Sequence, residues 1–160
     1  MASHTNRPEA SARDVLDSLR RMVQVLRESS HEAERRFGVT GAQLFVLEKL
    51  AEAPKQSLNE LAERTHTHQS SVSMVVSRLV ERGLVKRQRS AEDGRRLELV
   101  LTPKGRRLTA GTPGAIQNRL IHTINDLPAP SRRQLAVLLR RVVSGMDSLE
   151  RRPRMFFDNA

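Results

Sequence analysis

Apolar residues fall at helical spacing along most of this chain. Val15, Leu16, Leu19, Met22, Val23 and Leu26 share one side of a helix predicted from Asp14 to about Phe37. Thr40 is placed to cap a second helix, Gly41 to Ala53, with Pro54 just beyond its end. Ser57 with Glu60 three residues later is a capping box, so a third helix starts at Leu58 and turns Leu58, Leu61 and Ala62 inward. Thr65-His66-Thr67-His68 is polar and poor in helix formers, which stops that helix; Thr67 or His68 opens the next. Val72, Val75, Val76, Leu79 and Val80 line one face of the fourth helix, and Gly83 closes it.

The period then changes. Leu84 to Arg89 alternates weakly, and Arg96 to Leu101 alternates well, with Leu97, Leu99 and Leu101 on one face and an Asp93-Gly94 turn between. Thr102-Pro103 starts a long helix toward Asp126 that Gly111, Pro113 and Gly114 should kink or split. Ser131 is read as the cap of a last helix with the stripe Leu135, Leu138, Leu139, Val142, Val143, Met146 and Leu149. The predicted fold class is mainly α with a small β-hairpin wing: a winged helix-turn-helix flanked by N- and C-terminal helices. The expected organisation is one structural domain. Residues 1–9 form a flexible N-terminus, 10–37 a dimerisation helix, 38–102 the winged helix-turn-helix, 103–151 dimerisation helices and 152–160 a flexible tail.

Helix, turn, helix and a basic hairpin in that order are how such a unit grips duplex DNA, one helix in the major groove and the hairpin beside it. Opposite its apolar face the fourth helix carries Ser70, Ser73, Met74 and Ser77, flanked by Gln69, Ser71 and Arg78. Small hydroxyl residues allow close approach to base edges, although a serine-rich face can also be plain solvated surface. Arg82, Lys86, Arg87, Arg89, Arg95 and Arg96 crowd the hairpin, opposed by Glu92, Asp93 and Glu98. A solvated edge is the bland alternative. Thr67, His68, Gln69, Ser70, Ser71 and Ser73 are the candidates at or near base edges. Ser57, Arg78, Lys86, Arg87 and Arg89 are assigned to phosphates and Arg95 to a minor groove, with Asp93 holding Arg95 or only favouring the turn.

Composition narrows the classes. The 160 residues suffice for one core, and the net charge of +10 favours a polyanion without choosing among DNA, RNA and an anionic membrane. No Trp, no Tyr and four Phe leave few stacking platforms for single strands. The lack of Cys fits a reducing cytoplasm and removes disulfides and thiol-based peroxide sensing. No apolar run is long enough to cross a bilayer, and the N-terminus has no signal-peptide core. No catalytic constellation or Gly-rich phosphate loop is present, so no enzyme activity and no cofactor are expected. His66 and His68 sit in the turn without a clustered third ligand, so no metal site is assigned. His31 and His122 are read as surface residues, with pairing across a dimer or a pocket lining as the alternative, and Arg151, Arg152 and Arg154 as a solvated tail, with added non-specific DNA affinity as the alternative.

These residues resemble those of MarR-type transcriptional regulators. The likeness rests on Gln43-Leu44-Phe45-Val46-Leu47 with Leu50, Leu58-Asn59-Glu60-Leu61-Ala62, and Ser70-Ser71-Val72-Ser73 running on to Arg78-Leu79-Val80-Glu81-Arg82-Gly83-Leu84-Val85. Arg87, Asp93-Gly94-Arg95 and Leu101-Thr102-Pro103-Lys104-Gly105 complete it. It spans about Val15 to Leu149; Met74 stands where the family often has a basic residue. The resemblance implies an obligate homodimer built on the terminal helices, and repression relieved by a small ligand, commonly an anionic phenolic compound. It also implies a pocket between dimer platform and winged helix. By helical spacing Met22, Leu26 and Phe45 are its candidate apolar walls and Arg20 or His31 its donor, with core packing as the alternative for the apolar three.

The resulting expectation is a cytoplasmic, homodimeric, sequence-specific double-stranded DNA-binding regulator. It would be a repressor on a pseudo-palindromic operator, released by a small organic, anionic aromatic effector, with no membrane partner. The competing reading is a basic nucleoid- or RNA-associated protein without sequence specificity.

Overall fold

Local caps set most of the helix boundaries. The structure, a computed structural model, describes residues 11–112 and 114–146. The elements run α1 (Ala12–Phe37), α2 (Gly41–Glu52), α3 (Leu58–Arg64), α4 (Gln69–Glu81), β1 (Val85–Arg89), β2 (Leu97–Leu101), α5 (Pro103–Ala110), α6 (Ile116–Asn125) and α7 (Ala129–Met146). Thr40 with Gln43 and Ser57 with Glu60 form reciprocal capping boxes, as their sequence spacing implies. Ser11 and Asp14 form a third, 2.8 Å from the Ser11 N–H to the Asp14 carboxylate, so α1 starts ahead of the Asp14 start expected. Its signal, a serine three residues before an acid, was present in the sequence.

Two helix ends use the same pair of backbone bonds. After α4 the Gly83 N–H donates to Val80 O and the Leu84 N–H to Leu79 O, each at 2.9 Å, with Gly83 at φ +66°. After α3 the His66 N–H donates to Glu63 O at 3.1 Å and the Thr67 N–H to Ala62 O at 3.0 Å. There the left-handed position, φ 52°, is held by His66.

The long helix expected after Thr102 is split into α5 and α6 around Gly111 and Gly114; Pro113 lies outside the described residues. Ser131 does not cap the last helix. α7 begins at Ala129, and the Arg132 N–H donates to Pro128 O at 3.0 Å. Pro130 is tolerated because first-turn N–H groups have no helical partner to lose. Leu149, Arg151, Arg152, Arg154 and the two termini expected to be loose lie outside the described residues.

α2 is the central element. Gly41 through Leu47 are all buried, because α1, α3, α4, β2, α5 and α6 pack around it. Val46, Leu47, Leu50, Leu61, Val72, Val75, Val76, Leu79 and Leu84 form the least exposed part of one core. The terminal helices differ. Val15, Leu16, Met22, Val23 and Val25 of α1 are exposed, as are Val137, Leu138, Leu139, Val142, Val143 and Met146 of α7, and no residue of α7 is buried. Among the described residues no helix is long and apolar enough to cross a membrane.

Candidate nucleic-acid interface

α4 presents to solvent the face its sequence implies, with one change. Val72, Val75, Val76 and Leu79 point inward at 0% exposure. Gln69, Ser70 and Met74 are exposed, and Ser73, Ser77 and Arg78 half-buried. Ser71, expected at a base edge, is only 4% exposed. One residue is 100° of helix, so Ser71 lies on the side of its core neighbours Val72 and Val75 rather than beside Ser70. His68 is the exposed N-cap of α4, but its side chain makes no capping bond. Thr67 is half-buried, its hydroxyl donating to Thr65 O at 3.0 Å. Ser57 closes the start of α3, donating its hydroxyl to Glu60 Oε2 at 2.9 Å.

β1 and β2 pair antiparallel, Val85 opposite Leu101 and Arg89 opposite Leu97. Lys86, Arg87 and Arg89 are exposed along β1. The connection is longer than a two-residue hairpin: the Ser90 N–H donates to Arg96 O at 2.8 Å, and Asp93 to Arg96 form the tip turn, closed by Arg96 N–H to Asp93 O at 2.9 Å. What the Asp93 carboxylate accepts is the Arg95 backbone N–H, at 3.0 Å. Its role is to shape the turn that carries Arg95 outward.

Along β2, Leu97 is 57% exposed although it shares a face with Leu99 and Leu101, and Glu98, one of the charges set against the basic residues of the hairpin, is 6% exposed. The segment before α3 runs along β2, where Gln56 O accepts the Leu99 N–H at 2.7 Å, so this edge of the hairpin is covered.

Two basic residues of the wing are pins. Arg87 Nη2 donates to Ser77 Oγ of α4 at 3.1 Å, and Arg96 Nη2 lies 2.6 Å from Glu60 Oε2 of α3. They hold the hairpin against both helices of the helix-turn-helix. The Ser57 backbone N–H and hydroxyl, and then the Arg96 guanidinium, hold the Glu60 carboxyl below its ordinary range. Arg82 is also committed, its Nη1 donating to Gln43 Oε1 at 2.8 Å. No sequence signal marks these pairs; the partners of Arg96 and Arg82 are 36 and 39 residues away. The result is a polar helix face beside a braced strand whose Lys86 and Arg89 point to solvent.

Comparison with known proteins agrees with this geometry. The MarR family model matches residues 37–96, the stretch from the end of α1 to the wing tip. Over that stretch the chain is similar to the MarR family. It is 34% identical over 92 residues to the HTH-type transcriptional repressor MdtR of Bacillus subtilis, an alignment covering 58% of this chain and 59% of that one. To the HTH-type transcriptional repressor Rv2887 of Mycobacterium tuberculosis it is 28% identical, over 79% of this chain and 91% of that one. Among solved structures it resembles Bordetella bronchiseptica BpsR, whose DNA binding is regulated by 6-hydroxynicotinic acid, with a TM-score of 0.55 and 25% identity over 92% of this chain and 100% of that one. MdtR and Rv2887 are both named as transcriptional repressors.

Among the described residues, the five residues expected to line a MarR-type pocket do not share one groove. Phe45 is 2% exposed in the core, with the Lys49 ammonium 5.6 Å from its ring centroid, and Leu26 is 3% exposed. Both are buried within this chain, Phe45 on α2, which other elements surround, and Leu26 on α1. Arg20 and His31 do share a groove of about 430 Å³ along α1, with Leu16, Leu19 and Val23, but Met22, Leu26 and Phe45 do not line it. Arg20 lies 2.7 Å from Asp17, and His31 is 3.8 Å from Glu34. A separate cavity of about 590 Å³ lies between α2, β2 and the α5–α6 break, with Glu48, Arg106 and Thr109 in its lining.

Proposed function

We propose that this chain is a MarR-type homodimeric repressor of a pseudo-palindromic DNA site, released by a small anionic aromatic compound. The observation that carries the DNA half is the wing braced by Arg87–Ser77 and Arg96–Glu60 beside an exposed polar face of α4. Bracing fixes the distance between a groove-reading helix and a backbone-tracking hairpin, which is what docking on B-form DNA demands. In this reading Gln69, Ser70 and Ser73 address base edges, with Thr67 and His68 at the helix entry. Ser57, Arg78, Lys86, Arg87 and Arg89 meet phosphates, and Arg95 enters the minor groove, set by Asp93. Ser71 is withdrawn because it is buried.

Repression is supported by the names of the relatives, MdtR and Rv2887. The dimer is supported by the apolar faces of α1 and α7, which are exposed among the described residues. The division into a terminal-helix platform (10–37 and 103–151) and a winged helix-turn-helix (38–102) follows from that assignment, with cytoplasmic residence the compartment it requires. The effector half is supported by BpsR and its pyridine carboxylic acid. Arg20 and His31 are the groups we assign to the ligand's anion.

The test is selection of bound duplexes from a random pool, followed by salt titration of the winner. A selected inverted repeat is expected. Lys86→Ala or Arg89→Ala should weaken all duplexes alike and lower the slope of log affinity against log salt by about one unit per lost phosphate contact. A pool that returns no preferred sequence would instead favour a nonspecific nucleoid-associated protein. Salicylate and 6-hydroxynicotinic acid should raise the Tm of the free protein and weaken operator binding together, because a ligand shifts only the state it binds more tightly.

A further inference from the structure

The outward face of α4 carries one residue that cannot hydrogen-bond as its neighbours do. Met74 is 41% exposed, and Ser70, Ser73 and Ser77 surround it at helical spacings of four, one and three. Among the described residues the other large exposed hydrophobic side chains lie on α1, on α7 and, as Leu97, on β2 of the wing. The thioether therefore sits at the centre of the surface that our reading places in the major groove.

In that groove its surroundings are chemically restrictive. Guanine shows N7 and O6, adenine N7 and N6, and cytosine N4, and each of these loses water when covered. A methionine has no donor and only a weak acceptor, so it cannot replace those hydrogen bonds. The apolar feature of a major-groove edge is the C5-methyl of thymine. An unbranched side chain with three rotatable bonds can reach it without moving the helix backbone. We infer that Met74 reads a thymine methyl at the centre of each half-site. This rests on the DNA-binding reading above and adds to it a base preference that the hydroxyl residues alone do not impose. Serines donate and accept, so Ser70, Ser73 and Ser77 tolerate several edges; Met74 is matched to one.

The test uses the full chain and the duplex selected from a random pool. Each thymine is replaced singly by deoxyuridine, which removes the methyl and leaves pairing intact. One position per half-site is expected to weaken wild-type binding about four-fold, the worth of one buried methyl. Met74→Ala should bind the thymine and uracil duplexes equally, and with the affinity that wild type shows for the uracil duplex. Met74→Leu should recover part of the thymine preference. If a site is selected but no uracil weakens wild type, or if Met74→Ala keeps the same loss, the assignment of Met74 is wrong and DNA reading stands. If no sequence is selected at all, the DNA reading falls and the assignment with it.

Discussion

Glu48 is a carboxylate placed at the start of another helix. Its Oε2 accepts the Ala115 N–H at 2.9 Å and the Asn118 side-chain amide at 2.7 Å, capping α6 from α2, while its Oε1 is buried without a hydrogen bond. Burial raises its pKa above the ordinary 4.5, against the lowering effect of those two donors. A carboxyl whose folded pKa exceeds the unfolded one contributes stability that is complete below the unfolded value. That stability is lost as pH rises through the folded value. Glu48→Gln keeps an acceptor and removes the titration. Its Tm relative to wild type should therefore move in the variant's favour from about pH 4 to pH 7. A difference that stays flat over that range in thermal melts followed by circular dichroism would refute this. Arg95 is a residue-scale prediction of the other kind, about binding. It is exposed on the tip turn that Asp93 shapes, so Arg95→Ala should leave Tm unchanged and weaken operator affinity by about 1–3 kcal/mol. Unchanged affinity at physiological salt would leave it as surface charge.

At the scale of elements, the position of α5 depends on Gly105. A Cβ built there would lie 2.2 Å from Leu84 O, at the corner where α4 passes into β1. The same corner takes the Thr102 hydroxyl, which donates to Gly83 O at 2.7 Å, and the Thr102 N–H, which donates to Leu84 O at 3.0 Å. α5 is thus set directly on backbone, which cannot rotate away as a side chain can. Gly105→Ala should cost about 1–3 kcal/mol by overpacking, even though alanine is the better helix former. Urea denaturation measures it; an unchanged midpoint would mean that the helix start yields. Because the corner also begins the wing, the variant should weaken DNA binding beyond what its unfolded fraction explains.

At the scale of the whole molecule, α7 has no buried residue among the described residues. Its apolar residues face solvent alongside those of α1, and a second copy is the partner of matching chemistry that our reading supplies. Leu139→Glu would place a charge in that seam, at a cost of several kcal/mol unless it is paired. Since no residue of α7 is buried in its own subunit, the winged helix-turn-helix should stay folded. Sedimentation equilibrium should give a dimer for wild type and a folded monomer for the variant. A monomeric wild type at micromolar concentration, or a variant that still dimerises, would remove the dimer from this account.

The sequence by itself determined the elements of this protein, because their signals are local. Ser57 and Glu60, Thr40, Thr102-Pro103 and Gly83 act within one helical turn, and the valine stripe of α4 made its solvent-facing side, the face we propose for nucleic acid, readable from spacing alone. Residues whose surroundings come from elsewhere in the chain were decided only by the tertiary structure. Glu98 is buried because Gln56 arrives at β2, and Phe45 is core because other elements surround α2 on all sides. The wing is braced because Glu60, far away in sequence, is delivered to Arg96. Glu48 accepts the N–H of Ala115, the residue before α6, 67 positions later. Periodicity fixes which side of an element a residue occupies. It does not say what the fold brings to that side, because that depends on contacts between segments distant in sequence.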